Sequence, residues 1–267
     1  MPNTDPEMIT SSKNQHVQYI RELLAKKAAR EEHGSFIVEG VRLCEEALKS
    51  GSPPRMVLFT DACSTRGLEL VQQAGTAGSK VFLVKHDILD AISDTETTQG
   101  LLMVMQTHPL RLPDQMDFVL VIDQVRDPGN LGTILRTAVA AGVQAVFCTP
   151  GSVDAWSPKV VRSAMGAHFY VPIVLKNWNE ISDLCKNQQQ PLTTYLAESA
   201  DGTDLWSADL KKPVALVIGG EAEGASAEVK AGVDAFINIP MPGGFESLNA
   251  AVAASVILFE VVRQRSV

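Results

Sequence analysis

Three separated stretches gather the glycines and polar residues able to serve a ligand, and each follows an apolar run that reads as a strand. The first is Asp127-Pro128-Gly129-Asn130-Leu131-Gly132, which opens a helix reaching Arg136. Asp127-Pro128 starts that helix in the favoured way, with proline in the first turn. Asn130 and Arg136 do not share a face by i,i+4 counting, yet both can border a cleft at the helix start. The second stretch is Gly219-Gly220-Glu221-Ala222-Glu223-Gly224. It has the glycines of a phosphate-binding loop but neither the GxGxxG order nor a Lys-Ser/Thr ending. Glu221 repels phosphate, so an uncharged or cationic ligand suits this loop better than a dinucleotide. The third runs from Ile239-Pro240-Met241 to Ser247-Leu248-Asn249. Dense in backbone groups, it suits a flat ligand clasped by main chain.

Each stretch also has a plainer reading. A capped helix with a surface arginine accounts for 127–136, a simple turn for 219–224, and helix capping for Ser247 and Asn249. The surrounding elements decide whether the three converge. Phe118 to Ile122 is a continuous apolar run of the kind found in parallel strands buried on both faces. Further strands are expected at 145–148, 171–174, 193–197, 214–218 and 235–239, separated by helices over 130–141, 158–165, 178–187 and 225–231. Ligands of open α/β sheets bind beyond the carboxyl ends of strands, where all three loops fall. Ser247 is expected to cap a last helix whose Leu248, Val252, Val256 and Phe259 share one face, while Ala251, Ala254 and Ser255 keep other faces small. A helix apolar on more than one side needs a core contact and a second cover, such as another subunit.

The first hundred or so residues follow a different pattern. Residues 1–9 read as a disordered lead, and Ser11 or Ser12 is expected to cap a helix over 14–30 that buries Val17, Ile20, Leu23 and Leu24. Strands are expected at 35–38, 55–60, 80–84 and 100–106, with one helix between Gly40 and Gly51 and another over 68–74. The result is an α/β domain over 1–107, a proline-bearing linker over 108–117, and a second α/β domain over 118–267. The stretch from Lys13 to Arg30 carries Lys13, Arg21, Lys26, Lys27 and Arg30 against Glu22 alone, a basic run open to RNA or to solvent.

Composition narrows the classes. The chain has 267 residues, 45% of them hydrophobic, and a net charge of −8, which is ordinary for a globular protein with a sizeable core. That acidity by itself disfavours a nucleic-acid partner, although a local basic surface is enough to bind one. No apolar run is long enough to span a bilayer, and the start lacks a basic-then-apolar signal region, so a cytoplasmic protein is expected. Cys44, Cys63, Cys148 and Cys185 are scattered without CxxC or Cys/His clustering, which suggests buried thiols and neither a disulfide framework nor a metal site.

Taken together and in order, Asn130-x-Gly132-x-x-x-Arg136, Gly219-x-Glu221-x-x-Gly224, and Ile239-Pro240-Met241 followed by Ser247-Leu248-Asn249 resemble the three motifs of the SpoU (TrmH) family. These are RNA ribose 2′-O-methyltransferases of the SPOUT class. Ser157 to Gly166 is similar to a family segment between the first two motifs. The N-terminal part resembles the family's L30e-like substrate-binding domain through Ile9 to Asn14, Phe36 to Ala47 and Thr98-Gln99-Gly100. The resemblance implies S-adenosyl-methionine bound by a C-terminal domain with a deep trefoil knot, and a homodimer with its active site near the subunit interface. The general rule that chains avoid threading leads instead to an ordinary open sheet.

By the same resemblance the cofactor lies against Gly219, Gly220, Glu221, Gly224, Ile239, Pro240, Met241, Ser247 and Leu248. Catalysis falls to Arg136, Asn130, Ser247, Asn249 and Glu221, with no metal. Guanidinium groups rarely yield a proton, so Arg136 is read as steadying an oxyanion or a phosphate rather than as a base. Asn130 orients Arg136 or the ribose, Ser247 and Asn249 hold the hydroxyl or the loops, and Glu221 sits near the sulfonium or secures its loop. RNA is expected on Lys13, Arg21, Lys26, Lys27, Arg30 and Arg42. Ribosomal RNA of the 23S type is the preferred substrate. The alternatives are transfer RNA, an inactive RNA-binding member of the family, and a nucleotide-binding protein using 219–224 for phosphate. The first motif differs little from the family pattern; in the second Gly220 and Ala222 occupy variable positions, and in the third Gly243-Gly244-Phe245-Glu246 makes the loop bulky and acidic before Ser247.

Overall fold

The computed structural model describes residues 6–93, 97–107, 110–198, 202–221 and 223–266. The beginning of the expected lead (1–5), the first two linker positions (108 and 109) and Ala222 lie outside the described residues. Two compact units emerge, one from the described part of 1–108 with 156–169, the other from 109–155 with 170–267.

The first unit holds β1 (Glu7–Ile9), α1 (Gln15–Ala25), α2 (Lys27–His33), β2 (Ser35–Glu39), α3 (Val41–Lys49), β3 (Met56–Phe59), α4 (Thr65–Thr76), β4 (Lys80–Val84), α5 (His86–Asp90) and β5 (Leu101–Gln106). Its sheet runs β1-β4-β3-β5-β2. Alternation along β2 sends Phe36 and Val38 to one core and Ile37 to the other. Residues 7–9 are thus no lead but an edge strand paired parallel to 82–84, with Ile9 buried. The helix expected over 14–30 is capped by Asn14, which accepts from the His16 N–H at 2.8 Å, and it breaks at Lys26, whose backbone is extended (φ −121°, ψ 122°). The break has a cause. Buried Arg30 turns back and donates Nη1 to the carbonyls of Leu23 at 2.5 Å and Leu24 at 3.3 Å, satisfying the open end of α1. Residues 156–169, expected in the second domain, pack here because their apolar groups find cover on β2: Trp156 lies 4.8 Å from Phe36 ring to ring, and Val161 joins the same core.

In chain order there follow β6 (Phe118–Asp123), α6 (Pro128–Ala141), β7 (Ala145–Cys148), α7 (Pro158–Ala164, in the first unit), β8 (Ile173–Leu175), α8 (Trp178–Lys186), β9 (Thr193–Ala197), β10 (Thr203–Asp204), β11 (Val214–Gly219), α9 (Ala227–Gly232), β12 (Ala235–Asn238) and α10 (Ala250–Arg265). The strands of the second unit form one sheet in the order β10-β12-β9-β11-β6-β7-β8, and all its pairings are parallel. β6, fully buried, and β11, buried up to its last residue, lie at the centre. The last helix is capped by Asn249 rather than Ser247. The Asn249 side chain accepts from the N–H groups of Ala251 at 3.0 Å and Val252 at 3.3 Å, which leaves Leu248 in the loop. Ala251, Ala254, Ile257, Leu258 and Val261 of α10 are buried, while Val252 (49%) and Phe259 (47%) remain exposed.

Candidate active site

Parallel pairing sets Gly219, the last residue of β11, opposite Asp123, the last of β6. The loops that follow therefore leave the sheet side by side. Buried Asp123 ties three of these chain ends together, accepting from Thr149 Oγ1 at 2.5 Å and from the Ser226 N–H at 2.6 Å. Gly219 and Gly220 must be glycines for steric reasons. A Cβ on Gly219 would stand 2.5 Å from the Ala225 nitrogen, and one on Gly220 would stand 2.2 Å from the Gln124 carbonyl oxygen. Gly220 and Gly224 then exchange two backbone hydrogen bonds, each 3.1 Å, which closes a tight loop around Glu221.

Asp127 caps α6 by accepting from the Asn130 N–H at 2.7 Å, which fixes the backbone that carries the Asn130 side chain. That side chain donates Nδ2 to Glu221 Oε1 at 2.7 Å and accepts from Asn249 Nδ2 at 3.0 Å. The directions are forced. Because Asn249 Oδ1 is committed to the start of α10, its Nδ2 must face Asn130 Oδ1, and Asn130 must then donate to the carboxylate. One residue from each of the three loops is thereby locked into a single polar line. Arg126 braces it from outside, its N–H 3.5 Å from Glu221 Oε2 and its guanidinium 3.5 Å from Glu223.

Against this line opens a cavity of about 550 Å³. Gly219, Gly220, Glu221, Gly224, Ile239, Met241, Ser247, Leu248 and Asn249, all named from the sequence, are in its wall; Pro240, Asn130 and Arg136 are not. Ile218 and Ile257 add apolar surface and Glu223 adds a second carboxylate. Arg136 is exposed on α6, with no hydrogen bond or ion pair among the described residues. Sequence reasoning missed Glu198 and Lys230, which also line the cavity, and Asp123. A charged residue at or just after the end of a parallel strand is the signal that points to Asp123 and Glu198; nothing in the spacing links Lys230 to either.

The basic run of the first unit is less bare than its count suggests. Lys26 pairs with Glu22 at 3.7 Å and Lys27 with Glu31 at 3.6 Å. Arg30, expected to meet RNA, is buried instead on the carbonyls of α1. Lys13 and Arg42 are exposed, and Arg21 is half-buried. The four cysteines are free and buried. Burial pushes the thiols up, to about 12 for Cys148 and about 11 for Cys185. Among the described residues no helix is long and apolar enough to cross a membrane, and no group of three or more His, Cys, Asp or Glu is placed to hold a metal ion.

Comparison with known proteins adds to this geometry. Residues 117–259 match the SpoU rRNA Methylase family, and residues 14–103 match the MRM3-like substrate binding domain. The chain is 34% identical over 255 residues to the 23S rRNA (guanosine(2553)-2′-O)-methyltransferase RlmP of Bacillus subtilis, covering 96% of this chain and 99% of that one. It is 32% identical to the human mitochondrial rRNA methyltransferase 3, covering 91% of this chain and 70% of that one. Among solved structures, an AdoMet-bound rRNA methyltransferase from Sinorhizobium meliloti superposes with a TM-score of 0.85 at 30% identity, covering 96% of this chain and 97% of that one. The SpoU methyltransferase AviRb from Streptomyces viridochromogenes, in complex with AdoMet, gives 0.85 at 29% identity over 95% and 99%.

Proposed function

This chain belongs to the SpoU rRNA Methylase family, and from that premise we propose how its residues deliver a methyl group to ribosomal RNA. The protein is an S-adenosyl-methionine-dependent RNA ribose 2′-O-methyltransferase with a SpoU α/β catalytic part and an MRM3-like substrate-binding domain. Ribosomal RNA of the 23S type is its substrate. The observation that carries the assignment of roles is the Glu221–Asn130–Asn249 line, which joins the three loops beside a cavity walled by the second and third.

The cavity fits the cofactor. Main chain at Gly219, Gly220 and Gly224, where side chains are sterically excluded or strained, lets a flat heterocycle approach the backbone, and Ile239, Met241 and Leu248 supply apolar walls. Bound there, S-adenosyl-methionine supplies a methyl group already activated by its sulfonium charge. The protein has two tasks: to align the ribose hydroxyl and to lower the cost of the negative charge that grows on its oxygen.

Asn130 uses one amide proton and one lone pair on its two neighbours and keeps one of each for the sugar. Ser247, exposed in the cavity wall, offers a hydroxyl to the ribose. Glu221 secures its loop through Asn130 and favours a cation in the cavity. Arg136 lies outside its own chain's cavity wall, so we assign it to the oxyanion or the adjacent phosphate as RNA seats over the site. Its guanidinium keeps its proton, and the hydroxyl proton leaves to water or phosphate. Lys13, Arg21, Lys26, Lys27 and Arg42 of the first unit hold folded RNA, as counterion-releasing contacts.

We assign the homodimer to the α10 face, where Val252 and Phe259 are exposed at helical spacing. The trefoil knot belongs to the same proposal. It is supported by the strand order, with β12 beyond β9, and by the return of the chain from β12 to Asn130 at the start of α6. Four buried free thiols suit a reducing cytoplasm. The test is transfer of a tritiated methyl group from S-adenosyl-methionine to ribosomal RNA. The wild-type chain transfers it; Arg136→Ala loses transfer by at least about a hundredfold while binding S-adenosyl-methionine normally. Unchanged turnover in Arg136→Ala would remove the arginine from the mechanism.

A further inference from the structure

One charged pair in the cavity belongs to none of the three motifs. Glu198 directly follows β9, and its N–H donates to the Ile237 carbonyl at 2.9 Å, which pins its backbone where β9 and β12 end together. Its Oε1 lies 3.1 Å from Lys230 Nζ on α9, the two side chains being 23% and 41% exposed. Both line the cavity. Gly224 leaves them open: a Cβ there would stand 3.4 Å from Lys230 Nζ and 3.9 Å from Glu198 Oε1. Among the described residues nothing else engages the second carboxylate oxygen or the remaining ammonium protons.

We propose that Glu198, held in place by Lys230, grips the vicinal 2′- and 3′-hydroxyls of the methyl donor's own ribose. The inference rests on reading this cavity as the S-adenosyl-methionine site. A carboxylate beyond the end of a parallel strand is well placed to accept from a ribose diol, since both hydroxyls can donate to it. The pairing with Lys230 selects this part of the cofactor over its amino-acid arm. The ammonium of that arm would meet a carboxylate already neutralised, and its carboxylate would have to displace Glu198 from Lys230. A neutral diol needs neither change. It gains a strong acceptor in Glu198 and a donor in Lys230 without breaking the ion pair.

The test is isothermal titration of the full-length chain with three probes: S-adenosyl-homocysteine, 5′-methylthioadenosine, which keeps the diol and lacks the amino-acid arm, and the 2′,3′-dideoxy form of 5′-methylthioadenosine. The wild-type chain binds 5′-methylthioadenosine roughly tenfold to a hundredfold more tightly than its dideoxy form. Glu198→Ala loses that preference and weakens S-adenosyl-homocysteine by a similar factor. Glu198→Gln keeps an acceptor without the charge, provides the reading if the alanine variant melts early, and falls between the two. Glu198→Ala and Glu198→Gln binding 5′-methylthioadenosine as the wild type does, or weakening S-adenosyl-homocysteine alone, would overturn the assignment while leaving the donor site intact. A wild-type chain that binds neither S-adenosyl-homocysteine nor 5′-methylthioadenosine would overturn both.

Discussion

Asn249 donates to Asn130 across 119 residues of chain at 3.0 Å, and the same side chain caps α10 through its oxygen. One amide thus joins the stability of the last helix to the alignment of the site, and Asp in its place separates the two. Asn249→Asp keeps an acceptor for the helix N–H groups but has no proton for Asn130. Its melting temperature should stay within about 2 °C of wild type, while turnover falls at least tenfold, roughly. Asn249→Ala should lose the turnover and about 1 kcal/mol of stability as well. Full activity in Asn249→Asp would mean that the line from Glu221 to Asn249 has no part in the reaction.

Gly220 cannot carry a side chain while Gln124 stays where it is, because the two would meet at 2.2 Å. Gly220→Ala should therefore push the 219–224 loop off the end of β6, cost about 1–3 kcal/mol, and weaken S-adenosyl-methionine by more than tenfold. Thermal melting and titration calorimetry measure the two effects. Wild-type affinity in this variant would show that the loop's main chain does not clasp the cofactor.

The exposed α10 face gives the proposed dimer a direct check. Phe259→Glu combined with Val252→Glu places two charges on a surface that a second copy would have to bury. Light scattering after gel filtration should give twice the chain mass for the wild type and one chain mass for the variant at micromolar concentration. A variant that keeps the wild-type mass would move the interface elsewhere.

The thiols predict a pH response. Burial raises Cys148 to about 12 and Cys185 to about 11, and raises Cys44 further still, with Cys63 shifted in the same direction. In the unfolded chain a thiol titrates near ~8.5, so unfolding releases protons above that value. The associated stability is complete below pH ~8.5 and declines as pH rises beyond it, so the melting temperature should fall between pH 8 and 10. A thiol reagent at pH 8 should find the native chain nearly inert and all four cysteines reactive once it is unfolded. Rapid labelling of Cys148 or Cys185 in the native chain would contradict their burial.

What the residues announce by themselves is local. Apolar runs such as 118–122, 145–148 and 214–218 read as strands because burial on both faces leaves no room for polar alternation. Proline after Asp127 marked the start of α6 because helix entry is decided within one turn. β1 escaped detection since three residues carry no periodicity, and the break at Lys26 escaped because it depends on Arg30 reaching back to Leu23 and Leu24. The choice between Ser247 and Asn249 as helix cap was equally invisible, both being good cap formers.

From the amino-acid order alone came the residue types at each loop, the α/β alternation and the family they resemble, all of which are written within a turn, a strand or a motif. Only the tertiary structure decided which of those residues meet. The Asn130–Asn249 bond and the Glu198–Lys230 pair exist because β11 lies between β9 and β6, so that chain ends far apart in sequence open on one cavity. Strand order is a property of the whole sheet, set by which surfaces bury together, and no local spacing encodes it.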